Sequence, residues 1–483
     1  MAARNPILSD IVSDSGHQRG GSVTISRIGM GSWMMPRMGW ACRLAGLMLV
    51  VAFGLAVPAS AQPAVTASQS ADSQPQTTEM AAISAQPYQL PPEKLAQAKV
   101  LGKIRPLLHF GAELWEIVFL WLLLSSGTAA RLAERIYAGF RRTWLQTLIF
   151  SAVLVALIYL AVYLPLESIG HGFSLHFGIS VEGWPAWLLD EAKTLGLTVL
   201  VETPLLMLAI ALVRRSPRLY WLWFAAAAVP IMLLFTFILP PLVEPLFYEF
   251  EPLAKSHPAL VAQLDKVVER TGTSIPAERM FLMKASEKSN GLNAYVSGIG
   301  SSKRIVVWDT TADRMPADEI LFTFAHESGH YVLDHIPKGL TMAAIGMFAL
   351  FWIVAKLAES LVRQLGPAWR IRSLSNVSGL AVLLLALSVL QFVTEPVECA
   401  ISRHFEHEAD VYGQEAIHGL VADPQRTAVS TFDALGEASL DDPDPNPFVV
   451  FWSYDHPSIQ GRAQFAAHYD PWKHGQTPQF FTK

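Results

Sequence analysis

The chain has 483 residues, of which 52% are apolar and only 16% charged, with a net charge of −5. A soluble domain carries about 25% charged residues, so the deficit points to a membrane, and the slight acidic balance excludes an electrostatic nucleic-acid binder. Cys42 and Cys399 lie far apart, which excludes a disulfide framework and a cysteine metal site; any metal must be held by His, Asp or Glu.

Residues 38–62, MGWACRLAGLMLVVAFGLAVPASAQ, place Arg43 before an apolar run that ends in Ala59-Ser60-Ala61. Residues 1–61 are therefore expected to be a secretory leader cleaved after Ala61, or else an N-terminal anchor, with Met30 or Met38 as alternative starts. Residues 62–98, rich in Ala, Gln, Ser and Pro, read as a flexible linker. Six apolar stretches follow, at about 107–126, 144–166, 194–213, 220–247, 337–356 and 376–398. Each is long enough to span roughly 30 Å of hydrocarbon. Pro240, Pro241 and Pro245 predict a kinked or broken end to the fourth. A large soluble enzyme can bury one such helix, but six require a bilayer. The predicted architecture is a predominantly α, polytopic membrane protein. A four-span domain occupies 99–247 and two further spans occupy 336–398, and these alternate with polar segments at 248–335 and 399–483.

Charge sets the expected orientation. The first, third and fifth connections are basic: Arg131, Arg135, Arg141 and Arg142, then Arg214, Arg215 and Arg218, then Lys356, Arg363, Arg370 and Arg372. The second is acidic, with Glu167, Glu182, Asp190 and Glu191. Short basic loops stay in the cytoplasm. Segments 248–335 and 399–483 are thus expected together on the opposite face.

The stretch FTFAHESGHYVLDH, Phe322 to His335, contains H-E-x-x-H. His326 and His330, four apart, share one helical face and can reach one ion; Glu327 is placed to take a proton from a water that the ion holds. A surface helix with a chance match is the alternative. A catalytic zinc needs a third protein ligand. Leu333 and Ile336 stand where the metzincin pattern needs Gly and His, and His335, one residue out of register, reads as a helix-end or surface histidine. The third ligand is expected from a second helix, SRHFEHEAD (402–410), where Glu406 and Asp410 are four apart. One can bind the ion while the other accepts a ligand histidine's ring N–H. His404, His407 and Glu408 remain rival ligands on spacing alone.

Several motifs, in order, resemble the integral-membrane CAAX prenyl endopeptidases: HGFSLHFG (171–178), PPLVEPLFYEFEPL (240–253), NAYVSGIGSSKRIVVWDTT (293–311), HESGH, SRHFEHEAD and YDHPSIQGR (454–462). The resemblance runs from about residue 107 to the end. It implies membrane helices around a chamber, closed by a zinc-metalloprotease α+β domain built from 248–335 and 399–483. It further implies one zinc per chain on His326, His330 and Glu406, with Glu327 as general base. Asp410 would orient a ligand histidine, His456 would stabilise the oxyanion and Arg462 would support the site. RIVVWD is expected to form a sheet edge beside the zinc helix, with Asn293 and Ala294 lining a groove for an extended substrate. The expected partners are the lipid bilayer and a peptide or protein substrate. The leader-like start, the charge pattern and the lack of a long acidic insertion between Asp309 and His326 depart from the eukaryotic members. They predict a bacterial inner-membrane enzyme with its catalytic domain on the periplasmic side, processing membrane-associated or envelope proteins. The rival class is a non-catalytic metal-stabilised scaffold or a transporter, for which the in-span residues Glu113, Glu116 and Glu202 would carry ion coupling.

Overall fold

The computed structural model describes residues 88–473 and 475–481. The expected leader and most of the expected linker lie outside the described residues. Six helices are long and apolar enough to cross a membrane, as the sequence predicts: α1 (Pro92–Ser125), α3 (Thr143–His176), α4 (Trp184–Arg215), α5 (Tyr220–Leu246), α8 (His335–Trp369) and α9 (Gly379–Ala416). Between α1 and α3 lies the short amphipathic α2 (Thr128–Gly139). Large apolar side chains cover the outside of the spans, Leu200 at 69% and Val393 at 58% exposure among them, as a lipid-facing surface requires.

α1 starts at Pro92, inside the expected linker, because Pro91-Pro92 supplies a helix-ready first turn. Its first turns pack on the polar domain. Tyr88 is buried with its hydroxyl donating to the Asp441 carbonyl at 2.9 Å, and Arg105 reaches the Asp441 carboxylate at 2.9 Å. In α3 the helix widens over Tyr159–Tyr163, just before Pro165. Proline has no N–H for the carbonyl four residues back, and that carbonyl, on Ala161, accepts instead from the Trp115 indole at 3.0 Å. The end of α5 is irregular in the same way: Leu234–Ile238 is widened and Glu244–Leu246 is tightened around Pro240, Pro241 and Pro245.

The polar domain holds a four-stranded sheet in the order β1-β2-β4-β3: β1 (Phe250–Pro252), β2 (Met280–Met283), β3 (Ala294–Ser297) and β4 (Arg304–Trp308). β2 and β4 are parallel, and β3 is antiparallel to β4 with Ala294 opposite Val307. RIVVWD is therefore not the edge. Ile305 to Trp308 are all buried, the continuous apolar run of an interior strand, and the edge beside the zinc helix is β3. Helix α6 (Pro258–Thr271) packs on α7 (Ala317–Val332), the helix of the H-E-x-x-H motif. The second polar segment adds α10 (Pro424–Ser439), α11 (Pro447–Ser453) and α12 (Ile459–His468).

Membrane and polar parts are locked together by the second connection. The Val181 N–H donates to the Lys288 carbonyl at 3.0 Å, and the Asn290 N–H donates to the Ile179 carbonyl at 2.9 Å. The buried Lys288 ammonium lies 3.0 Å from Asp190 and 3.6 Å from Glu182. Burial lowers the Lys288 pKa, against the pull of both carboxylates.

Candidate metal centre

The two ligand-bearing helices cross where both have glycine. A Cβ on Gly413 of α9 would lie 3.0 Å from the His326 backbone nitrogen, and one on Gly329 of α7 would lie 3.1 Å from the Tyr412 ring. This close crossing, with the i, i+4 spacing on each helix, brings the predicted ligands together. His326 Nε2 is 3.3 Å from His330 Nε2 and 3.3 Å from Glu406 Oε2, and His330 Nε2 is 3.5 Å from Glu406 Oε1. Among the described residues these three form the one cluster able to hold a metal ion. Zinc bonds to nitrogen or carboxylate oxygen measure about 2.0–2.1 Å, and a tetrahedron drawn on them has edges of about 3.3–3.4 Å. The donor separations match such an edge, so the residues fit the ion.

Around this set the charges are arranged in a buried network. His326 Nδ1 faces Asp410 Oδ1 at 2.9 Å, and Arg462 holds both Asp410 oxygens at 2.6 and 2.9 Å. The Arg462 guanidinium also lies 3.7 Å from Glu406. Burial disfavours its charge, but Asp410 and Glu406 raise its pKa above the ordinary value. Without an ion, burial would lower His326, but the Asp410 and Glu406 carboxylates outweigh it and raise the imidazole to about 10. His330 is pushed down to about 3 by burial and by the charge on His326. Burial raises the Glu327 carboxyl, while His326, His456 and the Val296 N–H pull it back. His456, from the loop between α11 and α12, sits with Nε2 3.3 Å from Glu406 and Nδ1 2.8 Å from Asp455. Burial opposes its charge, but Asp455 and Glu406 raise it to about 9.

Of the rivals for the third ligand, none joins the cluster. His404 is two-thirds exposed and lies 3.8 Å from Glu408; the His407 ring packs on Phe465 at 4.5 Å; Glu408 contacts His335. His335 itself is not a surface histidine. It is 3% exposed, with Nδ1 3.1 Å from His330 Nδ1. The chain reverses between α7 and α8 through Asp334 in the left-handed region (φ 58°), and that turn folds His335 back beneath His330.

A cleft of about 590 Å³ opens beside the cluster, lined by Asn293, Tyr295, Tyr454, His456 and Arg462 and by the outer ends of α1 and α3. Asn293 is buried, and its Oδ1 accepts no hydrogen bond from the described residues. Ala294 is buried on β3. The Trp308 N–H donates to the Asn293 carbonyl, so by the antiparallel alternation Ala294 and Val296 turn their backbone groups away from β4. The Val296 N–H meets Glu327 there. A second cavity, of about 1090 Å³, lies at the opposite end of the spans, among Arg363, Arg370 and Arg372.

Residues 254–470 match the model of peptidase family M48, and residues 83–249 match that of the CAAX prenyl protease N-terminal region, described by five membrane helices. Here 92–246 holds five helices, four of them long and apolar enough to span. The chain is similar to an uncharacterized metalloprotease of Bacillus subtilis, YhfN, at 34% identity over 377 residues, covering 78% of this chain and 86% of that protein. It is similar to CAAX prenyl protease 1 of Saccharomyces cerevisiae at 26% identity, covering 66% and 71%. Its fold resembles the crystal structure of S. mikatae Ste24p, with a TM-score of 0.66 at 20% identity, over 79% of this chain and 90% of that one. Two histidines and a glutamate within reach of one ion, the glutamate on a helix continuous with a membrane span, agree with these likenesses: the chain belongs to the membrane CAAX prenyl protease group of peptidase family M48 and is a zinc metalloendopeptidase.

Proposed function

We propose that His326, His330 and Glu406 hold a single zinc ion and that the chain cleaves membrane-associated or envelope proteins on the periplasmic side of a bacterial inner membrane. The observation that supports the reading is the cluster of His326, His330 and Glu406 beside a cleft that Asn293, Tyr295, His456 and Arg462 line, with His456 Nε2 3.3 Å from Glu406. Bound there, zinc lowers the pKa of a water to near 7 and polarises the scissile carbonyl.

The chain's own groups do the rest. An extended substrate pairs with the outward backbone groups of Ala294, which fixes its register beside the centre. Asn293 offers its buried Oδ1 to a substrate N–H. Glu327, its carboxylate met by the Val296 N–H, takes the proton of the attacking water and passes it to the leaving amine. The His456 imidazolium donates to the oxygen on which negative charge develops. Asp410, clamped by Arg462, keeps His326 oriented with its Nε2 toward the ion. A coupling role for in-span carboxylates finds no support in Glu116, which accepts hydrogen bonds from Ser388 at 2.7 Å and from Tyr163, a polar tie between helices. The test is Glu327→Gln. It is expected to keep stoichiometric zinc while peptide cleavage falls by about 10²–10⁴-fold. Retained turnover would refute the mechanism.

A further inference from the structure

We infer that His335 and Glu408 are positioning residues for the metal ligand His330, forming a two-step hydrogen-bonded chain behind it. This rests on the reading that the ion sits on His326, His330 and Glu406. An imidazole that gives its Nε2 lone pair to an ion keeps its proton on Nδ1, and that N–H needs an acceptor. For His326 the atom in reach is a carboxylate oxygen, Asp410 Oδ1, at 2.9 Å. For His330 the atom in reach is His335 Nδ1, at 3.1 Å. Accepting there leaves the His335 proton on Nε2, and Nε2 lies 3.0 Å from Glu408 Oε2. Both ligand histidines thus end on a carboxylate, one directly and one through a second ring.

Three features hold that ring in place. Its side chain is 2% exposed, it stacks on Phe405 with centroids 4.5 Å apart and planes at 12°, and the left-handed Asp334 turn sets its entry. A histidine kept only to fill space has no need of two aligned nitrogen contacts. The carboxylate end is reached from solvent: Glu408 is 29% exposed and His404, beyond it, 66%. Removing the chain would leave His330 free to rotate or to place its proton on the metal-facing nitrogen, and either weakens the site.

The test is zinc affinity by chelator competition on the purified full chain, alongside thermal unfolding of the metal-free protein. His335→Phe, which keeps the stack on Phe405 but neither hydrogen bond, is expected to lose about 10–100-fold in affinity. His335→Asn, whose amide oxygen replaces Nδ1 as acceptor, is expected to recover most of that loss. Should His335→Phe fail to fold, Glu408→Ala at the partly exposed end decides the matter, with an expected loss of about tenfold. Zinc affinity at the wild-type level in His335→Phe, or in Glu408→Ala where the first does not fold, would overturn the inference. So would equal losses in the Phe and Asn variants, because a space-filling role gives no rescue. A wild-type chain that takes up no zinc would overturn the metal reading, and this inference with it.

Discussion

Gly413→Ala tests whether the α7–α9 crossing is what sets the metal geometry. Methyl groups ordinarily sit about 3.5–4.0 Å from their neighbours, but a Cβ here would stand 3.0, 3.1 and 3.2 Å from the nitrogen, Cα and Cβ of His326. The helices must therefore part by about 0.5 Å, whereas metal–ligand distances tolerate about 0.2 Å. His326 rides on one helix and Glu406 on the other, so the displacement falls on the ligand set. The sign of the stability change discriminates further. Alanine is the better helix former by about 1 kcal/mol, so an uncrowded site would gain stability. Overpacking costs about 1–3 kcal/mol, which leaves a net change between neutral and about 2 kcal/mol destabilising. Zinc affinity is expected to fall by about 10–100-fold, read by competition against a chromophoric chelator. A variant more stable than wild type, with unaltered zinc affinity, would refute the reasoning. Gly329→Ala should act at the same crossing, because its Cβ would stand 3.1, 3.2 and 3.2 Å from Cδ1, Cβ and Cγ of the buried Tyr412.

Three other outcomes are expected. Glu406→Ala should lose most bound metal, measured as zinc per chain after dialysis; stoichiometric zinc would move the third ligand elsewhere. His456→Asn should lower kcat by about 10²–10³-fold and abolish the alkaline limb of the pH profile. That limb lies at or below about 9, because the imidazolium is the active form and a bound cation pulls its pKa down from the metal-free value. A compartment-sensitive reporter fused after Lys483 should signal from the periplasm; a cytoplasmic signal would reverse the proposed orientation and return cytosolic tails as substrates.

The residues that read clearly from sequence are those whose geometry is local. His326 with His330, and Glu406 with Asp410, are four apart on unbroken helices, so their shared faces follow from 3.6 residues per turn. His335 does open a helix, as one of its two expected readings has it, but it is buried rather than on the surface. Five residues past His330 on a continuous helix, it would point elsewhere, and only the left-handed turn at Asp334 resets its direction. RIVVWD does not form the expected edge because its continuous apolar run is that of a strand covered on both faces. The anchoring of Tyr88 and Arg105 on Asp441, and of Lys288 on Asp190, joins residues about a hundred or more positions apart, and no spacing rule reaches across such distances.

The continuity of helix and span bears on what can be cleaved. α7 passes through a single reversed turn into α8, and α9 runs unbroken from the bilayer to its last ligand-orienting residue, Asp410. Glu406 lies eight residues past Glu398, where the apolar run ends, which is about 12 Å at 1.5 Å per residue. The ligand cluster is thus held on the continuation of an apolar helix rather than by a tether. The open edge of β3 faces the same helices, and the cleft is roofed by the outer turns of α1 and α3. On the proposed function, a substrate paired with that edge would enter as an extended strand at that depth. That proposal therefore implies a preference for chains that are already unfolded, or anchored close to the bilayer, set by the position of the site before any side chain of the substrate is read.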